Sequence, residues 1–423
     1  MKQNVKPTIV LGTICVVVAL LLSVINMVTA PIIVAQGAAA ANEALLVVMP
    51  NGENFEEIDI SSLGLPATVQ QVWRETTGKG HVFKVEATGY QPGMIIMVGV
   101  DAEGKITGSK YLSGSETYGL EVKLNNAYNG QSMSDASLII AAGASENSMT
   151  SKGYFSAIES ALQANVLVGG GKLDDSVILK GLIPALAPGF TFKDALACEE
   201  LSGSGNITLA YKAKNGAGLA LVVKEGEASY LAIVNAVGAV KVYDVESKDV
   251  TAEKTAIADE AKTFAAANQT NYVEVLTNKL AKLAEGATEI TPVTFDAFGN
   301  VVAAVQFKVG DATQYAFLSR PLTYEENAME IYTIIDADGK IVKQDITQLL
   351  FGHGIEYMPV YKNYGDSASS TYVDYENSFG GLTAGTLGDN VLISGATISS
   401  TAVKTATTDA FNVFNAIKNG GTN

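Results

Sequence analysis

The apolar residues of this chain fall in short runs broken by polar turns. Four stretches share one form: MIIMVGV, DAEG, KITGSKYL from Met94; LAIV, NAVG, AVKVYDV from Leu231; VTF, DAFG, NVVAAVQF from Val293; and IYTII, DADG, KIVKQDI from Ile331. Each reads as a β-hairpin in which Asp or Asn opens the turn by bonding its own backbone and Gly supplies the positive φ near its end. DADG is therefore a turn and not a calcium loop, which needs further oxygen ligands and a bidentate Glu that this spacing lacks. Helical patterns lie between the hairpins. SKGYFSAIESALQ follows the first, Ala402 to Lys418 closes the chain, and Thr251 to Leu283, rich in Ala, Lys and Glu with apolar residues three and four apart, reads as helix.

The N-terminus has a different pattern. Thr8 to Ala30 contains no charge, and at about 1.5 Å per residue a helix of that length crosses a hydrocarbon core of about 30 Å. Lys2 and Lys6 precede it, so the positive-inside rule keeps the short N-terminus in the cytoplasm and sends the rest outside. The alternative is a cleaved signal peptide ending near Val28-Thr29-Ala30 or in Ala38 to Ala41. Pro31 and the length of the apolar run favour a retained anchor over that alternative.

Composition narrows the chemistry. A chain of 423 residues, 48% hydrophobic with 41 Gly and 10 Pro, fits two or three ordered units with many tight turns. A formal charge of −16 repels nucleic acid and anionic lipid. The cysteines, Cys15 in the apolar span and Cys198 far from it, are not placed to form a disulfide, and His81 and His353 are too few for a histidine metal site or a catalytic triad. No catalytic residue and no metal ligand set is expected, so redox chemistry would come from a bound cofactor.

One motif points to that cofactor. Ser394-Gly395-Ala396-Thr397-Ile398-Ser399-Ser400 is a small-residue turn that presents a hydroxyl ahead of a helix. On its own it reads equally as a helix N-cap, where Ser and Thr accept the free amides of the first turn. It also resembles the flavinylation motif of FMN-binding domains, as in the covalently flavinylated components of the Rnf complex and of the sodium-pumping NADH:quinone oxidoreductase. Four further features resemble that family: the anchor, the juxtamembrane segment TAPIIVAQGAAAANEALLVVMPNGENFEEI, the DAEG hairpin, and Ser115-Glu116-Thr117-Tyr118-Gly119-Leu120, which is similar to the family's ring-contact loop ETPGLG with Tyr118 for Pro and Glu121 for the last Gly.

The resemblance implies an α+β fold, an N-terminal transmembrane helix followed by two FMN-binding-type domains of antiparallel hairpins with flanking helices, or three if an eroded middle copy is counted. The expected divisions are an anchor over 1–31, a juxtamembrane helix and lead-in over 32–80, a first FMN-binding-like domain over 81–165, a middle repeat or linker domain over 166–285, and a C-terminal domain over 286–423. The middle copy is read from APGFTFKDA and YKAKNGAGLALVV, which echo earlier segments.

The first copy has Ala142-Gly143-Ala144-Ser145-Glu146 where Ser-Gly-Ala-Thr belongs, with Thr150 displaced, and is expected to lack attachment at Ser145 and Thr150. The last copy keeps the motif, while its ring-contact loop reduces to Glu356-Tyr357-Met358-Pro359. Relatives commonly carry an Asp where this chain has Val391, with Asp389 two residues upstream.

The resemblance makes Thr397 the residue esterified to the FMN phosphate, with Ser394, Gly395, Ala396, Ser399 and Ser400 around it and Glu116, Thr117, Gly119 and Leu120 against a flavin ring. A threonine hydroxyl without a neighbouring base is a poor nucleophile. Attachment would therefore need a flavin transferase, which in the family moves FMN from FAD using Mg²⁺. The implied role is electron transfer within a larger oxidoreductase rather than self-sufficient catalysis. The chain would be single-pass in the cell membrane with its domains extracytoplasmic, relaying electrons in an Rnf-type ion-translocating ferredoxin:NAD oxidoreductase beside other membrane subunits. The alternatives are a standalone surface flavoprotein for extracellular electron transfer or reduction of an external acceptor, and a flavin-free anchored binding or scaffold module.

Overall fold

The computed structural model describes residues 43–146, 148–193, 195–323, 326–348, 375–392 and 397–420, together with Val18, Ser23 and Met27. The expected span from Thr8 to Ala30 lies outside the described residues apart from those three positions. Among the described residues no helix is long and apolar enough to cross a membrane. The chain divides into two compact units, Met1–Lys172 and Leu173–Asn423.

The fold is mixed α/β with antiparallel sheets, and one arrangement occurs three times. In the first unit a short helix α1 (43–48) precedes a five-stranded meander. Its strands are β1 (Phe55–Glu57), β2 (Val69–Glu75), β3 (Gly80–Ala87), β4 (Met94–Asp101) and β5 (Ile106–Ser113), paired in sequence order. The one-turn helix α2 (Leu120–Lys123) and the long helix α3 (Met149–Val168) follow. α3 covers one face, burying Ala157, Ile158 and Ala161 against Phe83, Ile96, Val98 and Val100. α1 covers the other, with Leu45 and Val48 against Trp73 and Met97. Gly99 and Gly108 admit α1: a Cβ on either would lie 2.3 or 2.7 Å from the Val48 backbone.

The second unit contains two such modules. The first has helix α4 (Asp175–Leu186), the two-residue strands β6 (Thr191–Phe192) and β7 (Ala195–Leu196), and a meander of β8 (Cys198–Leu201), β9 (Ile207–Ala213), β10 (Gly218–Glu225), β11 (Ala228–Asn235) and β12 (Val240–Tyr243), closed by α5 (Thr255–Asn268). The second has α6 (Tyr272–Leu283), then β13 (Ala287–Pro292), β14 (Val301–Val309), β15 (Ala312–Ser319), β16 (Met329–Asp336) and β17 (Ile341–Gln348), and ends in α7 (Thr397–Lys418). The leading helix takes one face of each sheet and the following helix the other. In β15, for example, Tyr315 and Phe317 face the α7 side, while Ala316 and Leu318 face the α6 side. Strands covered on both faces read as unbroken apolar runs, as LALVV in β10 does.

Three of the four expected hairpin turns form as read. Asp101 Oδ1 accepts from the N–H groups of Glu103 and Lys105, Asn235 Oδ1 from Val237 and Ala239, and Asp336 Oδ1 from Asp338 and Lys340, all at 2.8 to 3.1 Å. DAFG differs. It lies in the wide connection 293–300 between β13 and β14, and its carbonyls bond elsewhere. The expected helix over Thr251 to Leu283 is two helices, broken where the Asn271 side chain accepts from the Glu274 N–H and starts α6.

Candidate functional site

The candidate residues sit on the connection between the last strand of a meander and the helix that follows it. In the first unit this connection runs over 114–148 and is fastened by Glu116. Its Oε2 accepts from the Tyr90 N–H and from the Thr150 hydroxyl, both at 2.7 Å, and Oε1 lies 3.5 Å from the Gln91 nitrogen. The Thr117 N–H donates to Thr150 Oγ1 at 3.4 Å. One carboxylate thus ties the loop, the turn at 88–91 and the first turn of α3 together.

Two glycines permit the clasp. A Cβ on Gly89 would stand 2.2 Å from Glu116 Oε2, and one on Gly153 would stand 2.6 Å from the Thr88 carbonyl oxygen. Deeper in, Ser151 Oγ accepts from the Ala141 N–H at 3.1 Å, and Tyr128 Oη accepts from the Ile139 N–H at 3.0 Å. Burial pushes the Tyr128 hydroxyl up to about 12, so it stays protonated and fixes the chain.

Of the four residues expected against a flavin ring, Glu116 is committed to the clasp and Leu120 packs on the core. Thr117 is exposed, and Gly119, at φ 80°, supplies the left-handed step into α2. The two positions where the loop departs from the family pattern also stand out. The Tyr118 side chain is 99% exposed, and Glu121 Oε2 is buried without a hydrogen-bond partner. Burial pushes the Tyr111 hydroxyl up, and the Glu121 and Glu116 carboxylates add to the shift. A buried acceptor without a donor is costly unless a bound group supplies one.

In the last module Thr397 is exposed at the head of the 22-residue α7. Ser394, Gly395, Ala396 and the segment Glu356 to Pro359 lie outside the described residues. Ser399 and Ser400 are buried, and Ser400 Oγ donates to the Thr397 carbonyl at 3.4 Å. The hydroxyls that neighbour Thr397 in sequence thus turn into the core instead of toward a phosphate at its side chain. Val391 is also buried, and its carbonyl accepts from the Tyr375 hydroxyl at 3.0 Å. Asp389 pairs with Lys404 at 2.6 Å, two turns into α7, and the ammonium holds its carboxyl below the usual range.

The helices α3 and α7 share a burial register. Thr150, Ser151, Gly153, Tyr154, Ala157, Ile158, Ala161, Leu162 and Ala164 are buried in the first. Ser399, Ser400, Ala402, Val403, Ala406, Thr407, Ala410, Phe411 and Val413 are buried in the second, at the same spacing. Ser160 Oγ accepts from the Thr68 hydroxyl just before β2. At the matching position, Asp409 Oδ2 accepts from the N–H and Nδ2 of Asn300 just before β14, at 3.0 and 2.8 Å.

This register sets Ser148, and neither Ser145 nor Thr150, opposite Thr397. Ser148 is the N-cap of α3, its Oγ accepting from the Ser151 N–H at 3.3 Å, and Thr150 is held in the clasp. The signal was present in the sequence: Ser145-Glu146-Asn147-Ser148-Met149-Thr150-Ser151 runs parallel to Ser394 through Ser400, with Glu and Asn where the motif has Gly and Ala. The middle module has only a short connection at this place. Only residues 244–254 separate β12 from α5, against 114–148 and 349–396 in the other two.

These groups fit a flavin better than a metal or a nucleophile. Among the described residues no group of three or more His, Cys, Asp or Glu is placed to hold a metal ion. Burial pushes the Cys198 thiol up to about 12, which keeps it from acting as a thiolate. In the first unit the orphaned Glu121 oxygen has the chemistry to accept from a donor on a flavin ring or ribityl chain, and in the second Thr397 is exposed at a helix start. No curated protein matches the chain. A family model described as FMN-binding domain matches residues 89–163, from the turn that Glu116 clasps to the body of α3, and supports FMN as the cofactor of that segment.

Proposed function

We propose that this chain is an electron-carrying flavoprotein, anchored by Thr8 to Ala30 with its modules outside the cytoplasm. It holds FMN as a phosphoester on Thr397 and relays electrons among the subunits of an Rnf-type membrane complex. Its three modules are copies of one ancestral unit. The observation that carries this reading is the exposed Thr397 at the head of α7, a helix whose burial register follows that of α3 within the FMN-binding match.

In attachment, the Thr397 Oγ1–phosphorus bond forms as the pyrophosphate bond of FAD breaks. AMP leaves, and the hydroxyl proton passes to a base of the transferase. The first-turn amides of α7 lack intrahelical acceptors and favour the phosphate charge. FMN, when bound, supplies the one- and two-electron chemistry. The chain's own part is to tether it at Thr397; within the first unit, Glu116 separately holds the 114–121 loop, with Tyr118 and Glu121 on it, in a fixed shape. A second reading, a standalone surface flavoprotein, draws on the number of modules, which exceeds what one relayed flavin needs. Co-purification of multispanning subunits would decide against it.

The test is production of the full chain with a flavin transferase. The protein should fluoresce on a denaturing gel with one FMN per chain, Thr397→Ala should abolish the signal, and peptide mapping should find no FMN on Ser145, Ser148 or Thr150. A fluorescent Thr397→Ala variant, or FMN mapped to another residue, would refute the assignment.

A further inference from the structure

The connection 293–300 is a strap between two modules of the second unit. At its start Asn235, buried at the tip of the β11–β12 hairpin, donates from Nδ2 to the carbonyls of Phe295 at 2.7 Å and Ala297 at 3.1 Å. Further along, the Phe298 carbonyl accepts from the Gly189 N–H at 3.0 Å, and the Phe298 ring joins the core of the middle module. Gly189 is shaped for this contact, since a Cβ there would lie 2.3 Å from the Gly299 carbonyl oxygen. The strap ends at Asn300, which gives two hydrogen bonds to the half-buried Asp409 of α7.

Asn235 is the informative residue. The corresponding turns in the other modules open with Asp101 and Asp336, whose carboxylates only accept. Asn235 makes the same two turn bonds with its oxygen and uses its nitrogen for the strap, which a carboxylate cannot do. The middle module has also lost the loop on which the other two carry their candidate residues.

We propose that the middle module is a flavin-free pedestal, and that Asn235 and Asn300, acting through the strap 295–300, are positioning residues for the helix headed by Thr397. What is positioned rests on the reading of Thr397 as the attachment residue; the mechanical coupling does not. In Asn235→Asp the hairpin turn is retained, as Asp101 and Asp336 demonstrate, while the donor to the strap is lost and a carboxylate faces two carbonyls.

The experiment uses the full chain in its membrane fraction or detergent, loaded with FMN by a transferase. Asn235→Asp should split the common unfolding transition of the second unit in two and speed amide exchange over residues 404–410 of α7 at least tenfold. FMN per chain should stay unchanged, while the fluorescence anisotropy decay gains a fast component. Asn235→Ser, which keeps a turn acceptor but removes the amide nitrogen that reaches the strap, and Asn300→Ala give the same readouts should Asn235→Asp not fold. A single transition with unchanged α7 exchange in the variants would overturn the pedestal. Loss of coupling in a chain that carries no FMN on Thr397 would leave the pedestal standing and defeat the flavin reading instead.

Discussion

Replacing Glu116 with Ala should loosen the first unit and its 114–121 loop together. The substitution removes the acceptor of the Tyr90 N–H and the Thr150 hydroxyl, both bonded at 2.7 Å, and hydrogen bonds to a charged acceptor contribute about 1.5 to 3 kcal/mol each. Water reaches the half-exposed clasp and recovers part of this, so the expected loss is roughly 2 to 4 kcal/mol. Glu116→Gln keeps one acceptor oxygen and should lose about 1 kcal/mol.

Gly89→Ala sharpens the test. Its Cβ would lie 2.2 Å from Glu116 Oε2, so the carboxylate must swing away and forfeit the same bonds. Gly89→Ala should therefore cost nearly as much as Glu116→Ala, and the double variant little more than either, a coupling energy of roughly 1.5 to 3 kcal/mol. Urea unfolding of the full chain, followed through Trp73 of the first unit, the single tryptophan of the chain, reads the cycle. Additive costs, or a Glu116→Ala loss below about 0.5 kcal/mol, would show that the carboxylate does not fasten the loop.

Two further predictions concern the same unit. Glu75 accepts from the N–H groups of Glu53, Thr77 and Lys79 and from the Thr77 hydroxyl, the last being the largest influence, and these hold its carboxyl down at about 2. Because the folded value lies below the unfolded one, its stabilisation is full above the unfolded value of 4.5 and is lost as pH falls through about 2. Acid titration of Trp73 fluorescence should show that limb, and Glu75→Gln should flatten it. Tyr118→Ala, which removes a side chain that is 99% exposed, should leave stability within about 0.5 kcal/mol of wild type and alter the absorption of added FMN. An unchanged flavin spectrum would leave Tyr118 without a part in the site.

The hairpins were legible because their chemistry is local: an Asp or Asn oxygen and a Gly within four residues decide the turn. DAFG contains the same letters and behaves otherwise, because Asn235, 60 residues away, takes the Phe295 carbonyl. The break before α6 was hidden in a long Ala- and Lys-rich stretch, where a single Asn cap outweighs continuous helix propensity. At the candidate site, the loop around Glu116 could be found from its letters. The direction of Glu116 could not, since its partners Tyr90 and Thr150 stand 26 and 34 residues away. Ser148 was missed because the Gly-Ala pair drew the match to Ser145, whereas the helix register is fixed by which side chains α3 buries.

The differing connections between last strand and following helix also bear on how such proteins diversify. Closing a flexible loop costs about (3/2)RT ln n, so lengthening the 244–254 connection to the span of 349–396 adds only about 1.3 kcal/mol. The larger cost lies in packing, because the two long connections place Leu124, Tyr128 and Ala141, and Tyr375, Phe379 and Val391, in the cores of their modules. The module is thus a socket: chain closure hardly limits the inserted segment, which can be exchanged wherever the replacement refills that core, and the middle module closes its sheet with 244–254 alone. Grafting the first unit's connection, residues 114–148, between β12 and α5 would ask whether an inert module can be given a ligand site by insertion alone.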